Sequence, residues 1–394
     1  MKIIRDPIHG NLTISEEELR VLDAPEMQRL RRVRQLGFVY FVYPSATHSR
    51  FEHSLGAFHV AGKIATAVGL EKKEIEKVKL AALLHDVGHG PYSHSSEIAS
   101  NFFKKTTHEI YTNKIIRKSA VSDALEEADH NPDEIAKIAT GRKRPNSDIV
   151  SGDIDADRMD YLMRDSYYTG AAYGIVDLDH LLLKLMMNKK GLIIESGGLS
   201  AVESMLIARY LMYPAVYSHK TSRIADAMFT NALIECIQEK AFTIDELFAM
   251  DDAEVFQNIR SHGGEGENLL DSIERRDLHK TALNLSKEEL GENFEKVMSL
   301  KSDIRSLKKL EAEITEECGL ERNTVLLEVP HPQYKKEVKT LISDSGKLKK
   351  LEKFSPLVKA LHEAQWKYWN VGVYTSSENI KKVSKTAKTI LLEI

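Results

Sequence analysis

The run Leu80-Ala81-Ala82-Leu83-Leu84-His85-Asp86-Val87-Gly88-His89-Gly90-Pro91 decides the fold. A helical pattern enters it from about Lys73. By Leu80 to Leu84 it is apolar on nearly all sides, which marks a helix end buried deep in a core. The helix stops on His85-Asp86, with Gly88 and Gly90-Pro91 as breakers. An unpaired aspartate in that position would cost several kcal/mol. Something must compensate its charge, and a metal ion is the simplest answer.

Outward from this point the signal recurs. The chain has 394 residues and 15 histidines. Seven of these, His48, His53, His59, His85, His89, His94 and His108, fall within residues 48–108, where even spreading would place about two. Each alone reads as an ordinary core or surface histidine. Together they locate the chemistry, because imidazole is the commonest metal ligand and a proton carrier near neutral pH.

Hydrophobic residues are 42% and charged residues 29%, which excludes disordered and fibrous classes. No apolar run reaches about 18 residues, so no spanning helix is expected, and the opening MKIIRDPIHG is not a secretory signal. Cys236 and Cys318 are too few for a disulfide framework or a cysteine metal site. A cytoplasmic location is the default expectation. The formal net charge is −4, with 55 Lys+Arg against 59 Asp+Glu, which does not imply a broad electropositive surface for nucleic acid.

The pattern predicts a mainly α protein with a small α/β lobe at the C-terminal end. Asp23 and Glu26 read as a capping box with Pro25 in the first turn. They start a helix with Met27, Leu30, Val33 and Leu36 on its inner face and Gly37 as its stop. Further helices are expected from about His53 to Gly69 and over roughly Ile154 to Tyr168. Thr140 to Ser147 reads as a mobile loop. Gly191 to Leu199 reads as a short hairpin with a Gly-Gly turn, followed by a long helix interrupted at Pro214. The segment SHGGEGE (261–267) reads as a flexible connection before a Lys/Glu-rich helical stretch. Val325 to Val329 and Tyr368 to Tyr374 read as strands, each followed by a helical pattern. The expected division is residues 1–265 and 266–394.

An ion wants more than two ligands. His53 opens the preceding helix, and Asp157 lies in the later run IDADRMDYLMRD. With His85 and Asp86 they offer two imidazoles and two carboxylates, a set suited to Fe, Mn, Ni, Zn or Mg and unlike a closed structural zinc site. Alone, Asp157 reads as part of a solvated helix face. Asp157, Tyr161, Arg164 and Tyr168 recur at helical spacing, with Asp160 and Asp165 beside them and Met159, Leu162 and Met163 opposite. That face is either a pocket wall or a salt-bridged surface.

The runs YPSATHSRFEHSLGAFHVAGKIA, LLHDVGHGPYSHSSE and DIDADRMDYLMRD resemble the HD superfamily of metal-dependent phosphohydrolases. With DPIHG and LDAPEMQRLRRVRQLGF they are similar to its deoxynucleoside triphosphate triphosphohydrolase branch. The resemblance covers roughly residues 1–240. It implies a helical HD-domain core, with His53, His85, Asp86 and Asp157 as metal ligands. It implies cleavage of dNTPs to deoxynucleoside and tripolyphosphate. His94 with Glu97 would be the catalytic pair, their i, i+3 spacing letting the carboxylate orient the imidazole, and His108 would protonate the leaving oxygen. His89, Arg50, Arg158 and Arg209 would contact phosphates. Gln35 and Asp165 would bind the 3′-hydroxyl, and Tyr161 and Tyr217 would pack on the sugar and exclude a 2′-hydroxyl. Arg158 stands where lysine is common in that branch. Ser218 stands where a longer polar residue often approaches the base, which leaves base preference open.

Arg209, Tyr213, Tyr217 and Lys220 also recur at four, four and three residues. The stripe suits a phosphate and sugar clamp or an amphipathic surface helix. Asp23, Gln28 and Arg31 match positions that recognise a guanine nucleotide in some relatives, so the resemblance raises an activating nucleotide. The same residues also read as a helix cap and two solvated side chains. Kinship and size lead to the expectation of a homo-oligomer, a dimer or tetramer. Two other functions remain open at this level. One is an HD phosphohydrolase acting on monophosphates, cyclic nucleotides or ribonucleotides. The other is a nucleotide-responsive nucleic-acid-binding protein.

Overall fold

A computed structural model describes residues 1–330 and 340–394. Strands β1 (Lys2–Asp6) and β2 (Gly10–Ile14) open the chain as an antiparallel hairpin. Helices α1 (Arg50–Ala67), α2 (Lys72–Leu84), α3 (Ser93–Phe103), α4 (His108–Lys118) and α5 (Ala156–Thr169) follow, then α6 (Leu199–Met212), α7 (Lys220–Gln238), α8 (Ile304–Glu317) and α9 (Ile380–Glu393). The other strands are β3 (Leu185–Asn188), β4 (Gly191–Glu195), β5 (Lys280–Ser286), β6 (Leu326–Glu328), β7 (Leu341–Asp344), β8 (Lys347–Lys350) and β9 (Asn370–Thr375). The protein is mainly α, with a helical core and a small α/β C-terminal region.

α1 packs against both α2 and α5, and this trio carries the site. Ser49 starts α1 with a capping box completed by Glu52. Leu55, Phe58, Ala61, Ile64 and Ala65 turn inward, and Gly69, at φ +75°, ends it. In α2 every residue from Leu80 to Leu84 is buried, and His85 is the C-cap. Asp155 caps α5 through the Arg158 backbone N–H, and left-handed Gly170 closes it. At Pro214 the α6 helix widens into a π turn over Tyr213–Tyr217 before α7 resumes, as the missing proline N–H requires. Among the described residues no helix is long and apolar enough to cross a membrane.

In the C-terminal lobe β5, β9 and β6 form an antiparallel sheet in that order, backed by α8 and α9. Val371 and Val373 of the central strand are fully buried. A second sheet, β3-β4-β7-β8, joins β4 and β7 in parallel.

Several local expectations are corrected. Asp23 does not cap the helix after it. It closes the helix Glu16–Leu22, while Pro25–Arg29 starts at Ala24 with no side-chain cap. That helix tightens to a 3-10 turn at Leu30–Arg32, and Val33 turns extended because its carbonyl accepts from the Arg50 N–H. Tertiary pairing thus overrides the helical period. The partner of β4 is the upstream strand β3, so the hairpin turn lies at Lys189-Lys190, and Ser196–Gly198 leads into α6. The SHGGEGE segment is a helix junction at Gly263. A Cβ at Gly266 would run into Cys236 Sγ, so this glycine permits close packing on α7. Polar 140–147 is anchored, with Arg144 ion-paired to Asp148 at 2.7 Å and Asn146 bonded to Glu74 at 2.5 Å. The expected Lys/Glu helices hide β5, whose alternation is broken by an irregularity between Thr281 and Leu283. The strands expected near 325–329 and 368–374 are β6 and β9. The helical pattern expected after the first runs into residues 331–339, outside the described residues.

Gly56 lies on the face of α1 that meets α5. A Cβ there would collide with the Asp160 carboxylate and the Arg164 guanidinium. Gly56→Ala is expected to destabilise the fold by about 3 kcal/mol, read as a lowered urea midpoint. An unchanged midpoint would show that the helices separate freely.

Candidate functional site

α1, the end of α2 and the first turn of α5 converge on one point. His53 Nε2 lies 3.3 Å from His85 Nε2 and 3.1 Å from Asp157 Oδ1. His85 Nε2 lies 3.6 Å from Asp157 Oδ1 and 3.3 Å from Asp86 Oδ1. Both rings are oriented from behind. His53 Nδ1 donates to Asp160 Oδ2 at 2.8 Å, and His85 Nδ1 to the Ala82 carbonyl at 2.7 Å. Each imidazole therefore turns an Nε2 lone pair to the centre, the arrangement a metal ligand needs. Burial alone would lower the His53 pKa, but its bonds to Asp157 and Asp160 raise it to about 10. The same negative potential attracts a divalent cation, which would compete with the proton. The donor set fits a hard or borderline ion.

A second cluster adjoins the first. His89 Nε2 is 3.2 Å from Asp86 Oδ1, and its ring stacks on His108 at 3.8 Å. His89, Glu97 and His108 are close enough together to hold an ion as well. The expected His94–Glu97 hydrogen bond is replaced. Glu97 accepts from His108 Nδ1 at 2.5 Å and from the His108 backbone at 2.8 Å, because α4 begins beside α3. His94 is exposed and feels Glu97 only as a charge. Burial works against a charged His108, yet the bond and charge of Glu97 hold its pKa above the ordinary value. Burial, then Arg50 and His108, push His89 down to about 3, so it stays neutral.

The expected substrate residues separate into groups. Arg50 donates to Asp86 Oδ2 at 2.6 Å and to Ser93 Oγ at 2.8 Å. Arg158 is tied to Asp155 at 2.7 Å. Arg158 and Arg209 both act electrostatically on Tyr161, which meets Tyr217 edge-on at 6.1 Å. Tyr217 donates to Asp165 Oδ2 at 2.8 Å, and Asp165 Oδ1 bonds His48 at 2.8 Å. Gln35 Oε1 is buried without a partner. Lys220 leaves the stripe. It starts α7 beyond the π turn and lines a small pocket with Pro214, Arg223 and Asn370. Arg164 and Tyr168 are not pocket wall. Arg164 is fully buried against Asp160, and Tyr168 donates to Glu52 at 2.6 Å. Gln28 bonds the Leu22 carbonyl at 2.8 Å and accepts from Arg31 at 2.7 Å, while Arg31 lies over the Phe51 ring.

The HD domain profile matches residues 50–165, and a profile of the HD associated region matches residues 176–393. The chain belongs to the HD-domain family. An uncharacterized Methanocaldococcus jannaschii protein is 39% identical over 97% of this HD-domain chain and 81% of its own length. The Dictyostelium discoideum deoxynucleoside triphosphate triphosphohydrolase SAMHD1 homolog is 32% identical over 60% of this chain and 50% of its own. Among solved structures, a phosphohydrolase from Bacteroides thetaiotaomicron is 26% identical with a TM-score of 0.74, covering 95% of this chain and all of its own. A hypothetical protein from Aquifex aeolicus reaches 0.77 at 29% identity, covering 98% of this chain and 99% of its own.

Sequence reasoning passed over residues behind the site. Arg29, its pKa lowered to about 10 by burial, donates to the carbonyls of Val87 at 3.0 Å and His89 at 2.6 Å and so holds the HD loop. His48 and Asp160 were singled out in the sequence, but their pairing with Asp165 and His53 was not readable there. The one available signal was the spacing of Asp160 and Arg164, an i, i+4 ion-pair pattern.

Glu97→Gln removes the charge that raises the His108 pKa. The His108 midpoint, followed by NMR of the imidazole, is expected to fall in this variant. No movement would remove the pairing.

Proposed function

We propose that this HD-domain protein is a divalent-metal-dependent phosphohydrolase that splits deoxynucleoside triphosphates into deoxynucleoside and tripolyphosphate. The observation that carries the reading is the convergence of His53, His85 and Asp157 donor atoms beside Asp86. A divalent ion bound there supplies Lewis acidity toward a phosphoryl oxygen. Fe, Mn, Ni, Zn and Mg all suit the donors.

The side chains around the centre do the remaining work. Arg50, Arg158 and Arg209 offer positive charge to a triphosphate. Neutral His89 offers an N–H to a phosphate oxygen. His108, its pKa raised by the Glu97 carboxylate against the effect of burial, is the group placed to donate to the leaving oxygen. His94, which feels the charges of Glu97, Arg50 and His108, is a further candidate proton carrier. Asp165 and the unpartnered Gln35 Oε1 are the polar groups for a 3′-hydroxyl. The Tyr161–Tyr217 wall favours a deoxyribose over a ribose. The relatives named for dNTP hydrolysis support this substrate class, although the chain spans only about half the length of the Dictyostelium protein.

The test is incubation of metal-loaded protein with each dNTP and with GTP, then with mixtures, with products separated by anion exchange. Tripolyphosphate is expected. Orthophosphate or monophosphate products would move the activity to another substrate class. Turnover confined to mixtures would reveal an activating nucleotide, for which Asp23, Gln28 and Arg31 are the candidates. Sedimentation of the same samples reports whether a dimer or tetramer forms. Asp157→Ala should reduce turnover to background and bound metal with it, and retained turnover overturns the ligand set.

A pH profile tests the proton donor. A raised pKa keeps His108 charged above its ordinary range, so turnover should persist there and fall as pH rises through the shifted value. Glu97→Gln should move that alkaline limb downward. A limb that stays in place assigns the proton to another group.

A further inference from the structure

Asp160 is fully buried and sits behind the proposed metal centre. One oxygen accepts from His53 Nδ1 at 2.8 Å and the other from His9 Nε2 at 2.7 Å. Arg164 donates to both, at 2.9 Å each. Arg164 Nη1 also lies 2.9 Å from Asp6 Oδ2, an ion pair without hydrogen-bond alignment. Asp6 is in turn fixed in the β1–β2 turn, where its Oδ1 accepts the Ile8 and His9 N–H groups at 2.8 Å. The missing Cβ of Gly56 lets the Asp160 carboxylate reach α1 at all.

We propose that Asp160 is the positioning residue for His53, and that the N-terminal hairpin clamps Asp160 through His9 and, via Arg164, through Asp6. This rests on the metal-centre reading above. The physical reason is directional. His53 presents Nε2 to the centre only while Nδ1 keeps its proton and the ring keeps its tilt, and both depend on where Asp160 Oδ2 lies. With three donors spread over two oxygens, the carboxylate cannot rotate without breaking a buried charge-assisted bond. The hairpin therefore acts on the centre without touching it.

The test measures Mn2+ affinity of the full chain by competition with a chromophoric chelator. His9→Leu removes the donor and is expected to weaken Mn2+ binding about 10-fold, the low end of the range for lost direct partners of metal-bound histidines, because His9 acts on His53 through Asp160. His9→Gln restores an N–H donor and should recover most of that loss, which a purely structural role for the imidazole would not produce. Wild-type affinity in His9→Leu, or Gln as weak as Leu, overturns the proposal. If circular dichroism shows that His9→Leu does not fold, Asp6→Asn decides. It should weaken binding in the same direction by a smaller factor, and unchanged binding overturns the clamp. A wild-type chain that binds no Mn2+, Fe2+, Ni2+, Zn2+ or Mg2+ overturns the metal reading and this proposal with it. Normal wild-type binding with indifferent variants removes this proposal alone.

Discussion

Buried carboxylates must be matched, and the centre of this protein is arranged around that requirement. Asp86, Asp155, Asp160 and Asp165 are each nearly inaccessible to solvent. An uncompensated charge in such a place costs several kcal/mol. Asp86 meets Arg50, His85 and His89. Asp160 meets His9, His53 and Arg164. Asp165 meets His48 and Tyr217, and Asp155 meets Arg158. The crowding of histidines between residues 48 and 108 is in large part the other half of this pairing.

The sequence was most readable where one local rule had no competitor. The buried end of α2 announced itself through an all-round apolar run, and the donor atoms of His53, His85 and Asp157 do come together, with Asp86 beside His85. It was least readable where long-range pairing decides. Val33 leaves a helical pattern because Arg50 claims its carbonyl. Glu97 passes over the histidine three residues away for one eleven residues on, since α4 starts beside α3. Lys220 fits a helical stripe only if the helix continues through Pro214, and the π turn redirects it. Arg164 looked like a pocket side chain because composition cannot tell a wall from a buried ion pair. Its partner Asp6 lies 158 positions earlier by residue number.

The C-terminal lobe is fastened to the helical core by polar bonds as well as apolar surface. Arg305 of α8 donates to the carbonyls of Phe102 at 2.8 Å and Phe103 at 2.9 Å, at the end of the helix that carries Glu97. Arg223 of α7 reaches Glu328 of β6 at 2.7 Å, and Glu328 also accepts from Tyr374 of β9 at 2.7 Å. The helix that bears part of the proposed proton-transfer machinery is thus braced at its far end by the lobe in which the sequence showed no motif.

The parallel pairing of β4 with β7 carries a different kind of meaning. Ile193, Ile194 and Glu195 are matched with Leu341, Ile342 and Ser343, across most of the second half of the chain. Such a contact closes a long loop, and forming it early in folding is entropically unfavourable. During synthesis the helical core emerges first, and β4 then presents an unsatisfied edge until β7 arrives, the kind of surface on which neighbouring chains aggregate. The short, basic β8, Lys347-Leu348-Lys349-Lys350, becomes the edge strand beside β7 once the sheet is complete, with β3 at the opposite edge. Its lysines are the residues nature favours for keeping an exposed strand from recruiting another.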